Sequence, residues 1–301
     1  MEKKLQFEDA VNPSSGGRGA YLLHLADNAL ILGHRNSEWC GHGPVLEQDI
    51  AITNISLDLI GQARNFYQYA ALLINKSKNP EGSKAPSSSV IASGANPVIA
   101  SGAKQEVTED SLAYLRDAHE FKNCLLVELP KGDWAATILR QFFFSNYQYL
   151  LYGQLQNHKD EQIAAIAAKA LKEVTYHLRW SSEWVIRLGD GTEESRKRIL
   201  KAIDELWPYT EELFLPADYE KEAGIDPSSI KEEWLKKVNE IFEEATLPFS
   251  SVIASKAKQV IASEANPVIA SGAKQGKHSK HLDDILADLQ FLQRAYQNSQ
   301  W

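Results

Sequence analysis

Asn54-Ile55-Ser56-Leu57-Asp58-Leu59-Ile60-Gly61-Gln62 and, far downstream, Lys172-Glu173-Val174-Thr175-Tyr176-His177 decide how this chain reads. Each holds an acid, then an alkyl residue, then a side chain that is or replaces an imidazole: Asp58, Leu59, Gln62 and Glu173, Val174, His177. Helical residues three apart share a face, so an Asp-Glu-x-x-His in this register would offer a carboxylate and an imidazole to one metal ion. Paired motifs of that kind build di-iron centres inside four-helix bundles. Here the glutamate positions are Leu59 and Val174, and one histidine has become Gln62. An alkyl group cannot coordinate iron. The pattern keeps the framework of a metal site and lacks its donors.

Around these motifs the apolar period is helical. Ile52, Ile55, Leu59, Gln62, Phe66 and Tyr69 step by three and four along a helix from Pro44 to about Asn75. A matching stripe, Ile163, Ala167, Ala170, Val174, His177, Ser181, Trp184 and Leu188, defines Asp160–Leu188, which stops at Gly189-Asp190-Gly191. Two more long helices are predicted, Ala20 to about Arg35 and Trp134–Asn157, the latter capped by Asp133. Shorter ones are expected at Ser111–Lys122, Glu193–Leu206, Pro227–Ala245 and His281–Gln297. Strand alternation is absent from this pattern. The expected fold is all-α: one ferritin-like four-helix bundle with accessory helices and a degenerate, metal-free di-iron site, spanning residues 1–301.

Two stretches depart from it. Val90–Gln105 and Val260–Gln275 are the same sequence except for Gly94 against Glu264, and Val-Ile-Ala-Ser recurs at Val98, Val252 and Val268. No packing requirement makes two distant segments of one helical protein near-identical. They are too short and too far apart for a solenoid. We read 77–108 and 247–277 as repeat-containing loops inserted at the surface, where added length costs little closure entropy and their Ser/Gly/Ala/Pro content favours flexibility.

The composition excludes several classes. With 44% hydrophobic and 24% charged residues, the 301-residue chain has ample material for a core. A net charge of -8 argues against a nucleic-acid surface. Cys40 and Cys124 are too few for a disulfide framework. The N-terminus has no apolar signal core, and no run of about 18 apolar residues could span a bilayer. A cytoplasmic protein is expected. Phosphate loops and nucleophile elbows are missing. His278 and His281, beside Asp283 and Asp284, read as a solvated helix start.

A di-iron site needs oxygen ligands from four helices. The first long helix supplies Asp27, and the third supplies no acid at all. Asp27 and His177 therefore remain as ligand types, with His177 expected to be a buried neutral imidazole bonded to Gln62 or Asp27. Asp58 and Glu173 are assigned to contacts between helices. The polar, Gly-rich linker with Arg35, Glu38, Trp39 and His42 reads either as an ordered interhelical loop or as a docking surface, because Trp and Arg concentrate at interface hot spots.

Leu25-Ala26-Asp27-Asn28-Ala29-Leu30-Ile31-Leu32, Arg35-Asn36-Ser37-Glu38-Trp39-Cys40-Gly41-His42, the two degenerate motifs, Leu188-Gly189-Asp190-Gly191-Thr192 and the tail Leu289-Gln290-Phe291-Leu292-Gln293-Arg294 together resemble one family. It is the C subunit of the bacterial ring 1,2-phenylacetyl-CoA epoxidases, oxygenases of phenylacetate degradation. The similarity covers nearly everything but the repeats. It implies a ferritin-like subunit without irons or other cofactor. Its partners would be a homologous catalytic A subunit that holds the irons, a small B subunit, and a reductase carrying FAD and an iron-sulfur centre. The alternatives are a catalytic di-iron oxygenase with an atypical ligand set, or a ferritin-like interaction protein outside this pathway.

Overall fold

The computed structural model describes residues 16–78, 106–249 and 273–296. The repeat-bearing stretches at 77–108 and 247–277 therefore lie outside the described residues except at their ends. Among the described residues the secondary structure is entirely helical. Four long helices dominate: α1 (Gly16–Ser37), α2 (Leu46–Lys78), α5 (Trp134–Leu155) and α6 (Glu161–Gly189). Short helices α3 (Glu109–Tyr114) and α4 (Leu125–Glu128) join the two halves. The C-terminal part adds α7 (Glu193–Leu206), α8 (Asp218–Ala223), α9 (Lys231–Glu244) and α10 (Lys280–Ala295).

Helix α1 pairs with α2, α5 pairs with α6, and α2 meets α6 across the middle. Burial follows from composition. Residues Tyr21 to Leu32 of α1 and almost all of α5 are enclosed on every side, and both stretches are mostly apolar, as a helix surrounded by others must be. Helices α2 and α6 are amphipathic and keep one face in water. Caps set the ends. Asp133 accepts from Ala136 N at 2.9 Å, and Asp160 accepts from Gln162 N and Ile163 N. Helix α6 ends at Gly189, where a Cβ would lie 2.4 Å from the carbonyl oxygen of Ala245. On the far side of α5, Phe143, Trp207, Phe214, Trp234 and Phe242 form one aromatic knot, with ring centroids 5.3–6.2 Å apart and the Trp234 indole donating to Phe143 O.

The expected helix Ser111–Lys122 is a correction. It breaks after Tyr114, and a single 3-10 turn follows at Ala118–Glu120. The break lets Arg116 turn inward, where its Nε bonds Leu112 O and its guanidinium reaches α1. Pro227–Ala245 likewise opens with a 3-10 turn, Pro227–Ile230, before α9.

His278 is a second correction, whereas Asp283 and Asp284 of the same reading are exposed. The His278 side chain is buried, with Nδ1 2.8 Å from Glu128 and Nε2 2.9 Å from Phe121 O. The same Glu128 accepts from Ser279 N. A few residues upstream, Ala273 N and Lys274 N donate to Glu212, and Lys274 Nζ sits between Glu220 and the carbonyls of Leu213 and Leu215. Residues 273–279 thus fasten to the core through three buried carboxylates. Each is matched by donors, as burial demands.

Near this cluster His24 is buried on α1, 2.7 Å from Lys122 O. Desolvation, only partly offset by Glu220, lowers its pKa from 6.5 to about 4. The folded chain therefore holds His24 neutral while the unfolded chain takes up a proton near pH 6.5. Stability supplied by this group is complete above that pH and is lost as pH falls from about 6.5 towards 4, by roughly 3 kcal/mol over the window. Denaturation midpoints measured across this range should fall with pH, and His24→Asn should flatten that slope. An unchanged slope in the variant would assign the acid sensitivity elsewhere.

Candidate functional site

The two motif helices meet in an antiparallel seam lined by reciprocal polar pairs. From one end to the other, Gln48 Oε1 accepts from the indoles of Trp180 and Trp184 at 3.0 and 2.7 Å. His177 Nε2 lies 3.0 Å from Asp58 Oδ2, Gln62 Nε2 donates to Glu173 Oε2 at 2.9 Å, and the Tyr69 hydroxyl donates to Asp160. Asp58 and Gln62 are four apart on α2, Glu173 and His177 four apart on α6, so each helix gives one acid and takes one. His177 is fully buried and Asp58 half-buried at the seam's edge. The partner of His177 is thus Asp58, not Gln62 or Asp27 as the sequence suggested.

Between these pairs, Leu59 and Val174 are wholly buried in the core. They are the two positions that the sequence reading took as those of absent carboxylates. Two buried atoms on the same seam, His177 Nδ1 and Gln62 Oε1, have no hydrogen-bond partner among the described residues.

Asp27 lies elsewhere in the core and is already matched. Its carboxylate accepts from the Tyr67 hydroxyl at 2.5 Å, from Lys122 N at 2.8 Å and from both terminal nitrogens of Arg116. Both charges are fully buried. Burial works against the Arg116 charge, but Asp27, Tyr67 and Glu120 beside it together outweigh that and hold the guanidinium above its ordinary pKa. Tyr67 is pushed well above 10, first by burial and then by the same carboxylate. Arg116 also stacks on Phe121, 4.2 Å from the ring centre, and its carbonyl accepts from Gln290 and Arg294 of α10.

The donor set does not fit a carboxylate-bridged pair of irons. Helix α5 brings no acid, α2 and α6 bring alkyl groups, Asp27 is neutralised by an organic cation, and His177 is bonded to Asp58. Among the described residues no group of three or more His, Cys, Asp or Glu side chains could hold a metal ion.

The chain belongs to the phenylacetic acid catabolic protein family, which it matches over residues 8–301. It is 39% identical over 287 residues to the C subunit of the 1,2-phenylacetyl-CoA epoxidase of Escherichia coli (strain K12), covering 94% of this chain and 98% of that protein. Among the described residues no helix is long and apolar enough to cross a membrane.

The linker residues divide. Arg35 is buried and spends its guanidinium on Glu128 O, His281 O and Glu38, while the Trp39 indole donates to Thr137 and packs edge-on against Trp134. Glu38 and His42 face solvent. Sequence reading missed Arg116, Tyr67 and Lys274. The single hint was an arginine set directly after the apolar run Leu112-Ala113-Tyr114-Leu115.

Proposed function

We propose that this chain is the non-catalytic structural subunit of a multicomponent phenylacetyl-CoA 1,2-epoxidase in aerobic phenylacetate degradation. In this reading it is a single ferritin-like four-helix bundle with two inserted repeat loops, 77–108 and 247–277, and a degenerate di-iron site. It acts in the cytoplasm, scaffolding a homologous catalytic subunit that carries the irons, together with a small B subunit and a reductase with FAD and iron-sulfur. It uses no cofactor of its own. The observation that carries this reading is the pair Leu59 and Val174, buried alkyl groups at both motif positions, with Asp27 committed to Arg116. The name of the Escherichia coli relative, an epoxidase subunit, supports the pathway.

A bundle relieved of metal ligands gains from hydrocarbon in their place, since replacing buried charge by packed apolar groups is often neutral or stabilising. It can then serve as a rigid face for an obligate partner, whose interfaces run to about 2,000 Å² or more. Metal analysis and gel filtration test the reading together. The purified chain should hold no stoichiometric iron, and on co-expression with a homologous catalytic subunit the two should elute together with iron tracking that subunit. About two irons per copy of this chain alone would overturn it.

A further inference from the structure

The C-terminal segment is rooted by a ring that faces an acceptor on each nitrogen. His278 Nδ1 lies 2.8 Å from Glu128 Oε2 and Nε2 lies 2.9 Å from Phe121 O, with 3% of the side chain exposed. A neutral imidazole carries one N–H and would turn a lone pair towards one of these oxygens, whereas the imidazolium donates to both. Glu128 meets three donors: His278 Nδ1, Asn123 Nδ2 at 2.9 Å and Ser279 N at 2.7 Å. Donors converging on it hold it as the carboxylate and leave the proton on the ring. Burial opposes that charge, but Glu128, then Phe121 O and Asp27, outweigh it and raise the pKa of His278 above its ordinary value.

The other charges around the ring are committed elsewhere. Asp27 of α1 is paired with Arg116, Arg35 binds the carbonyls of Glu128 and His281, and Lys122 lies over the Tyr219 ring. In the 3-10 turn beneath α10, Glu120 accepts from Asp117 N and His119 is exposed. Upstream, Lys274 is paired with Glu220, and Glu212 accepts from Leu125 N and Ala273 N. Lys277 and Lys280 are exposed, and His281 lies partly exposed, 4.0 Å from Asp284.

Helix α10 packs chiefly on α3, α4 and the 3-10 turn between them. It buries Leu282, Ile285 and Leu286 there, and Gln290 and Arg294 bond Arg116 O. A terminal helix with so few buried apolar residues opens at a lower cost than the whole fold. Gly276, at φ 85°, turns the chain between the buried Lys274 and His278, and a Cβ there would lie 2.5 Å from His119 O. Lys274 fixes the upstream end, and Gly276 is the pivot.

We propose that residues 277–296 form a proton-dependent latch, closed onto α3 and α4 while a charged His278 bridges Glu128 and Phe121 O, and opening about Gly276 when that proton leaves. The closed segment keeps a proton that the open segment releases near the ordinary histidine pKa of about 6.5. Closure is therefore fully supported below about pH 6.5 and weakens as pH rises through the closed-state value, the open fraction growing about 10-fold per pH unit in between. That window lies above the one in which His24 acts.

Hydrogen exchange of the full chain between about pH 6 and about pH 9, corrected for intrinsic rates, tests the latch on peptides from α10 and α5. Helix α10 should be at least about 10-fold less protected than α5, which marks local opening, and its protection should fall by up to about 10-fold per pH unit above about 6.5. His278→Gln should give α10 the weak protection of the wild type at high pH and remove the slope, while His281→Gln should change neither. Protection of α10 that ignores pH, a slope that survives His278→Gln, or α10 as protected as α5 overturns the latch. Should the His278 variant fail to fold, nitrogen NMR of the wild-type chain decides: at about pH 6.5 the His278 ring should be mostly doubly protonated, and a neutral ring there overturns the proposal.

Discussion

Arg116→Met is expected to destabilise the chain by about 3–5 kcal/mol, because it strands a carboxylate in the core. Asp27 is fully buried, and the guanidinium is the positive charge that its described neighbours provide at contact distance. Tyr67 and Lys122 N still donate after the substitution, but two neutral donors do not replace a cation. Asp27→Leu alone should cost a similar amount by leaving Arg116 unpaired. The double variant, Asp27→Leu with Arg116→Met, should recover most of the loss, since removing both charges leaves apolar groups of similar volume in an apolar setting. A residue of roughly 1 kcal/mol for each orphaned donor should remain. Denaturant unfolding of all four proteins makes a double-mutant cycle. Single variants costing under about 1 kcal/mol, or a double variant no better than the worse single, would refute the pairing as a structural necessity.

The second large effect concerns the motif positions themselves. Leu59→Glu and Val174→Glu would place the residue types of a metal-binding bundle at these positions, and we expect each to destabilise by several kcal/mol. A carboxyl buried there would have its pKa raised by desolvation, so the folded state would hold a proton that the unfolded state releases above about pH 4.3. Folding would then weaken as pH rises, and both variants should be less damaged at pH 5 than at pH 8. Ferrous iron should not rescue them. His177 is held by Asp58, Asp27 by Arg116, and α5 carries no acid to complete the set. A melting temperature that climbs with added iron, together with about two bound ions per chain, would show that the framework accepts metal once two carboxylates are placed there.

Much of the helical fold could be read from local pattern, and the reason is physical. The stripe through Ile163, Ala167, Ala170 and Val174 reports a buried face directly, and Asp133, Asp160 and Gly189 act on backbone groups within one turn of themselves. Leu59 and Val174 were legible as core for the same reason. The polar core was not. Asp27 meets Arg116 across 89 residues, and His177 meets Asp58 across 119. Such pairs leave no periodic trace, so a buried acid can be seen in the sequence without its partner. The break after Tyr114 was missed on the same account, because what ends that helix is a tertiary demand on Arg116 rather than a capping signal.

Lys274 belongs to a sequence that also occurs as Ala103-Lys104-Gln105, yet it is buried against Glu220 and, through its backbone, Glu212. That sets a limit for anyone who would excise the second repeat from this chain. A scar placed before Ala273 leaves the anchoring lysine in its slot. Carried only two residues further, the same cut would leave a pair of glutamates in the dry interior without their counterion.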